Sequence, residues 1–327
     1  MRRPFALLLA LGLAGCAGSS DAPTGTIPIT GLDGGGDERA LLYYAGGLAA
    51  PDGADPLATG LLVQSGASAY AFSVDTLPDD LAQRWAGERR AETLDWKTEV
   101  KPVFEATYAS ARRLPTSLSA LREEGGGWGA DDPDWFVHEV DGVMTDARRR
   151  LFVRADAAQR AATAMASGEA ATYAVGTAIV GEHWLDGRLV ETTVKRRRAD
   201  GHWDFMVYDA EGNLADGTTT PPRALAAPAK CIGCHLGGKL HQPEKAFPAA
   251  APDGPAGPRA VHVPGAWREA VETEALASRF QEHARRADGV LGLYGTLYAA
   301  RAVAQARNGD PLSAADSALV ELLREDS

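Results

Sequence analysis

Five consecutive residues, Cys231-Ile232-Gly233-Cys234-His235, carry the most specific chemistry in this chain. Two thiols with two residues between them lie one helical turn apart, a spacing at which each can add to one vinyl group of a haem. The adjacent imidazole then coordinates the iron. Two rival chemistries use the same residue types. A zinc site needs further ligands, and His241 is the obvious neighbour to supply one. A thioredoxin-like redox pair opens a helix after a strand, whereas Thr218 to Lys230 reads as a proline-rich loop. The preferred expectation is one covalent haem c held by Cys231 and Cys234, with His235 on the iron.

The third cysteine, Cys16, belongs to a different pattern. Arg2 and Arg3, an apolar run from Phe5 to Leu13 and small residues after it have the layout of an export signal, too short to span a bilayer. Leu13-Ala14-Gly15-Cys16 resembles the lipobox of bacterial lipoproteins, in which the cysteine sulfur is lipidated before cleavage. The blander reading is an ordinary signal peptide with an incidental Cys16. Ala17 does not resemble an inner-membrane retention signal, so the expected site is the outer membrane, facing the periplasm. Exported cysteines usually pair, but a CxxC disulfide closes too small a loop to staple a domain. Haem attachment follows export in bacteria, so signal and motif support each other.

What elements would position the motif? The 327 residues, 45% of them hydrophobic, suffice for one large domain or two smaller ones. A net charge of −11 supplies no basic face for nucleic acid and does not favour acidic small molecules. Residues 1–15 read as the signal peptide and 16–38, rich in Gly, Ser, Thr, Pro and Asp, as a lipidated tether, with order beginning near Leu41. Residues 39–128 read as mostly helical. Tyr70, Phe72 and Val74 alternate as in a strand, Pro78 opens one helix, and Val100, Val103, Phe104, Thr107, Tyr108 and Ala111 mark another. A glycine-rich break at Gly125 to Gly129 separates this region from 129–245, where Leu151-Phe152-Val153 reads as a strand and Ala155 to Ser167 as a helix. Asp186-Gly187 and Asp200-Gly201 predict two-residue hairpins among the strands that follow. Residues 246–327 read as a Pro-rich linker and C-terminal helices, the last capped through Ser313 and Asp316.

A series of short pieces then adds up. Ser167-Gly168-Glu169 ends the helix, Gly176-Thr177-Ala178-Ile179-Val180-Gly181-Glu182 follows, and Trp203-Asp204-Phe205 leads through Tyr208-Asp209 to the cysteine motif. In order and spacing, residues from about 150 to 241 resemble the cytochrome P-460 family, which includes the beta-type cytochromes c-prime. The resemblance implies an α+β fold: an antiparallel sheet packed on the covalent haem, flanking helices, and a distal iron site that is open or loosely filled. Family members that oxidise hydroxylamine carry a lysine cross-linked to the haem edge. It would fall at Gly181, so the resemblance implies no cross-link here.

If both Asp-Gly turns are two-residue hairpins, Gly181 pairs with Thr192 and shares an apolar face with Ile179, His183, Val190, Val194, Trp203, Phe205 and Val207. Gly181, Trp203 and Phe205 are then expected against the haem. Glu182, Glu191, Thr193, Lys195, Arg197, Asp204 and Met206 fall on the other, solvated or partly covered face. Lys195 and Met206 therefore point away from the haem side. His183 is a distal candidate, as ligand or proton donor, weighed against a histidine at a strand end whose ring reaches water or a carbonyl. A sixth ligand from farther off, such as Met144 or His262, stays open; His138, His202, His241 and His283 have no positional argument.

The expected function is a membrane-anchored, extracytoplasmic mono-haem cytochrome that binds or redox-converts a small nitrogen-containing ligand of the nitric oxide or hydroxylamine class. One alternative is a six-coordinate electron-transfer cytochrome serving a redox partner protein. Another treats the haem as a minor sensor or structural module, with the flanking regions binding a partner.

Overall fold

The computed structural model describes residues 25–88, 92–141, 146–169, 173–220, 226–229, 231–232, 267 and 293–324. The N-terminal unit is built on four strands, Thr26–Thr30 (β1), Leu62–Gly66 (β2), Ala69–Ser73 (β3) and Leu94–Asp95 (β4). They form a mixed sheet in the order β2-β3-β1-β4, with β1 antiparallel to β3 and parallel to β4. Ile27 and Ile29 are buried between exposed Thr26, Pro28 and Thr30, so β1 alternates as a half-buried strand must. It lies inside the stretch whose composition reads as a tether, and folded structure therefore begins well before Leu41. Within 39–128 helices predominate, and the short strands β2, β3 and β4 add to β1 a sheet of which only the Tyr70-Phe72 alternation in β3 was expected. In β2 only Leu62 is buried and β4 is two residues long, so neither leaves a period-2 signal.

Helices Gly35–Ala49 (α1), Asp79–Ala82 (α2), Lys101–Ala111 (α3) and Leu118–Gly125 (α4) complete the unit. Asp95 caps the turn that leads into α3 by accepting from Lys97 N and Thr98 N at 3.1 and 2.9 Å. Pro102 sits in the first turn of α3, where its missing N–H costs nothing. Val100, Phe104, Tyr108 and Arg112 recur every four residues on the buried side. Phe104 is the hub of the aromatic core, with ring centroids of Tyr44, Phe72 and Trp85 at 5.7, 5.9 and 5.9 Å.

The second unit is a six-stranded antiparallel meander of Trp135–Asp141 (β5), Arg148–Arg154 (β6), Ala178–Leu185 (β7), Arg188–Arg197 (β8), Trp203–Tyr208 (β9) and Leu214–Ala215 (β10). Helix Ala155–Ala166 (α5) follows β6, and the C-terminal helices Leu293–Asn308 (α6) and Ala314–Arg324 (α7) pack with it. Ala157, Ala158, Ala161 and Ala162 line the buried stripe of α5. Gly295 lets α6 approach that stripe, since a Cβ there would stand 2.8 Å from the Ala161 carbonyl carbon. Asp316 N donates to Ser313 Oγ at 3.0 Å, the expected cap of α7. The short Asp316 carboxylate accepts from Ser313 Oγ, Tyr298 Oη and Gln159 Nε2.

Both faces of the six-stranded sheet are covered. On one side Phe136 of β5 meets Tyr298 of α6 at 5.4 Å. On the other, Tyr208 Oη donates to Pro115 O at 3.0 Å and Arg196 pairs with Glu124 of α4 at 3.3 Å. All six residues of β9 are buried. The face expected to be solvated or partly covered is thus covered, by the N-terminal unit.

Charge joins the two units. Asp204 of β9, with a side chain 1% exposed, faces Arg112, 3% exposed, across the junction. Arg112 Nε and Nη2 donate to its two carboxylate oxygens at 2.9 and 3.0 Å, and Tyr108 Oη adds a bond at 2.8 Å. Arg112 Nη1 also donates to the carbonyls of Gly47, Ala50 and Pro51 at the end of α1. Removing one member of a buried pair strands the other charge in low dielectric, at a cost of about 3–5 kcal/mol. Asp204→Asn should therefore lower the free energy of unfolding by about 3 kcal/mol or more in urea titrations. A midpoint unchanged from wild type would refute this role.

Candidate functional site

After β10 the chain turns back on itself: Gly217 bridges to Ala226, and Ala227 N donates to Asp216 O at 2.7 Å. Pro228 is buried, and Ile232 N closes a helical turn onto Pro228 O at 2.8 Å. Ile232 is 5% exposed within the core, and Cys231 packs half-buried against it. Of the three residues read as holding the cofactor, Cys231 is described; Cys234 and His235 lie outside the described residues, as do Cys16, Met144, His241, His262 and His283.

The core against which Cys231 packs includes aromatic residues of the N-terminal unit. Tyr44 of α1 is 2% exposed, and its hydroxyl has no hydrogen-bond partner among the described residues. Burial, followed by the nearby Glu105 carboxylate and the Cys231 sulfur, pushes its pKa well up. Its ring stands edge-on to Tyr43 and Tyr108 at 5.4 and 5.9 Å. Tyr43 Oη in turn bonds Tyr108 Oη and donates to Trp203 O at 2.9 Å, and its ring lies 6.2 Å from Phe205. Trp203 and Phe205 are thus brought to the same aromatic group as Tyr44. Trp203 Nε1, buried beside Tyr173, also lacks a partner among the described residues. Tyr44 and Glu105 went unmarked in the sequence because they lie far from the motif, in helices that carry no chemical signature.

The face containing Gly181 differs from expectation in one strand. Asp186 and Gly187 do form the two-residue turn, with φ of 50° and 74°, and Leu185 pairs with Arg188. A bulge between His183 and Trp184 then shifts the ladder, so Gly181 pairs with Thr193 rather than Thr192. The second turn spans three residues: Arg198 N donates to His202 O, and Asp200 accepts from His202 N at 3.0 Å while ion-pairing with Arg198. Burial opposes the Asp200 charge, but His202 and Arg198 hold its pKa down at about 2. The two shifts cancel for β9 and reverse β8 alone. Trp203, Phe205 and Val207 keep the Gly181 face, whereas Val194 leaves it and Glu191, Thr193, Lys195 and Arg197 join it.

Lys195 therefore shares the face of Gly181, with its Nζ 6.0 Å from the Tyr294 ring centroid, a correction of the expected orientation. Met206 pairs with Val194 on the opposite face, as expected. A Cβ at Gly181 would stand 3.0 Å from Thr193 Oγ1 and 3.2 Å from Leu151 Cδ2, so side chains of the flanking strands occupy that space.

His183 is 3% exposed, which excludes the water-facing ring at a strand end. Its Nε2 lies 3.1 Å from Thr193 Oγ1 and its Nδ1 3.1 Å from Glu191 Oε1; Arg149 sits opposite on β6. Glu191 Oε2 accepts from Thr219 N and Thr220 N at 2.8 and 3.2 Å, tying down the chain on its way to Cys231. Among the other histidines described, His138 lies 6.1 Å from the Trp267 ring and His202 Nδ1 lies 3.3 Å from Asp200.

No family model matches the chain, and neither does any curated protein or solved structure.

The Glu191 cluster has a measurable signature. Burial alone would raise its pKa, but hydrogen bonds from His183, Thr220 and the Thr219 backbone outweigh it and set the value at about 2, below the ordinary 4.5. A depressed folded-state pKa adds stability above pH 4.5 that is lost as pH falls through about 2. The difference in unfolding free energy between wild type and Glu191→Gln should accordingly shrink as pH is lowered across that window. A pH-independent difference would show that the carboxylate is not held this way.

Proposed function

We infer that the chain is an exported, lipid-anchored mono-haem c cytochrome, with Cys231 and Cys234 bonded to the porphyrin and His235 on the iron. The observation that carries this reading is the CxxCH run itself. Cys231 lies half-buried in a helical turn that packs against the hydrophobic core, an apolar surrounding of the kind a macrocycle needs. The partnerless Tyr44 hydroxyl and Trp203 Nε1 are buried polar atoms of the kind a bound group satisfies. On these observations the residues present fit a haem.

When bound, a haem supplies an iron centre able to take a small ligand and exchange electrons. The chain's own contribution is to fix, shield and exclude. Glu191 fixes the start of the segment that carries the motif, through two backbone N–H groups. The buried aromatic residues Tyr43, Tyr44, Phe104 and Phe205 belong to the dry core against which Cys231 packs. The ring nitrogens of His183 are engaged by Thr193 and Glu191, and Met206 faces away from Gly181, so neither is poised as a sixth ligand. That speaks only of His183 and Met206, since Met144 and His262 lie outside the described residues; the proposed open distal position, taking a small nitrogen-containing ligand, rests on the resemblance. The resemblance is to the cytochrome P-460 family, with Gly181 in place of the cross-linking lysine. Cys16 would carry the lipid that holds the protein to the outer membrane.

The test is expression with a bacterial c-type maturation system. The mature chain should gain the mass of one haem, stain for peroxidase activity in denaturing gels and give a high-spin ferrous spectrum that nitric oxide changes. His235→Ala should retain the covalent mass and lose the wild-type spectrum. Absence of the mass gain would overturn the proposal, and a low-spin spectrum in both oxidation states, insensitive to nitric oxide, would replace ligand binding by electron transfer.

A further inference from the structure

We propose that Thr193, His183 and Glu191 form a nucleophile, base and orienting carboxylate on the large sheet, with Thr193 Oγ1 taking the acyl group of a small ester. The inference goes beyond the haem reading and does not depend on it, since all three side chains belong to β7 and β8.

The bulge between His183 and Trp184 makes the arrangement possible, because it sets Glu191 opposite His183 and Thr193 opposite Gly181 on one face. His183 Nε2 then lies 3.1 Å from Thr193 Oγ1, and Nδ1 lies 3.1 Å from Glu191 Oε1. These are the two contacts a hydroxyl nucleophile needs, a base at its proton and a third group behind the base. Glu191 is itself fixed, its Oε2 accepting from Thr219 N and Thr220 N at 2.8 and 3.2 Å. Those bonds keep it ionised. A carboxylate beside Nδ1 favours the tautomer with the proton on that nitrogen, which leaves the Nε2 lone pair facing the hydroxyl. Thr193 Oγ1 also reaches Gly181 O, at the longer distance of 3.4 Å.

Exposure and shape agree with these roles. His183 and Glu191 are 3% and 1% exposed, whereas Thr193, the group that must meet substrate, is only half-buried. A Cβ at Gly181 would stand 3.0 Å from Thr193 Oγ1 and 3.8 Å from His183 Nε2, so the absent side chain is what lets hydroxyl and imidazole converge over the strand. Leu151 Cδ2 borders the same point at 3.2 Å, which suits a short apolar acyl group. Arg149, opposite His183 on β6, adds positive charge on the face where an oxyanion would develop.

In the reaction Thr193 Oγ1 bonds to the carbonyl carbon of the ester and its proton passes to His183 Nε2. Collapse breaks the bond between that carbon and the alkoxy oxygen, and Nε2 returns the proton to the departing alcohol. Water then attacks the acyl-threonine by the same route, and the carboxylic acid leaves as Thr193 Oγ1 regains its proton. Glu191 touches no reacting atom and acts as a positioning residue.

The experiment uses the mature chain as purified, with 4-methylumbelliferyl acetate as the ester and diisopropyl fluorophosphate as the covalent probe. Wild type should release the fluorophore catalytically, and the probe should block release and be found on Thr193 by peptide mass spectrometry. Thr193→Val, which keeps the side-chain shape, should lose both release and label, and Thr193→Ser should keep both. His183→Gln should lower kcat about a hundredfold with KM little changed, the pattern of a lost proton acceptor. Glu191→Gln should lower kcat about tenfold or more, again without a matching rise in KM, which a merely structural role would not produce. Release that persists in Thr193→Val, a label on any other residue, or neither release nor label in wild type would overturn the proposal. The site of labelling on wild type decides the matter even where a variant fails to fold, and the haem reading stands or falls separately, on its mass gain.

Discussion

The fold hangs on a carboxylate that water does not reach. Asp204 sits in β9 with 1% of its side chain exposed, and an ion so placed needs cations and hydrogen bonds within the protein. Arg112 supplies a two-pronged contact, and Arg198 and Arg196 stand at 4.0 and 3.7 Å. The same Arg112 holds the last carbonyls of α1, and Arg198 Nη2 holds Tyr43 O in its middle. Position and rotation of α1 are thereby referred to one strand of the large sheet. This helix carries Tyr43 and Tyr44 into the core against which Cys231 packs, so the packing behind that cysteine depends on an ion pair between the two units.

A buried pair of this kind is weak evidence for stability but a strong constraint on register. An apolar interface between the two units would tolerate sliding, because dispersion and area burial are non-directional. Fork-to-carboxylate bonds tolerate none. On the other face, Glu191 plays a related part on a smaller scale. It fixes the backbone of Thr219 and Thr220, and through them the start of the segment that ends in the cysteine motif. The segment is thus approached from two sides, one governed by Asp204 through α1 and one by Glu191 through the strands.

Much of this organisation was legible from residues alone where the signal is local. The Asp186-Gly187 turn, the strands β7 and β9, the helix α5 and the Ser313 cap follow from period, turn chemistry and capping. The motif itself is local too. The face of β8 was not legible, because a bulge beside His183 and a three-residue turn tied by Asp200 each move the ladder by one place. Neither event leaves a mark in hydrophobic periodicity; both are decided by side chains meeting across strands. Tyr44 escaped for a different reason. Its burial against Tyr43, Phe104 and Tyr108 is a tertiary fact, and the Tyr43-Tyr44 pair offers only aromatic bulk in the sequence.

The early start of β1 bears on where the molecule can work. Between Cys16 and Thr26 the chain, at about 3.3–3.6 Å per residue when fully stretched, reaches no more than about 35 Å. A lipid on Cys16 would hold the folded body within a layer about one protein diameter deep, so its encounters would be a lateral search over the membrane rather than a sweep through the compartment. Under that proposal a redox partner would have to come to the layer, whereas a diffusible gas would reach the protein without any such approach.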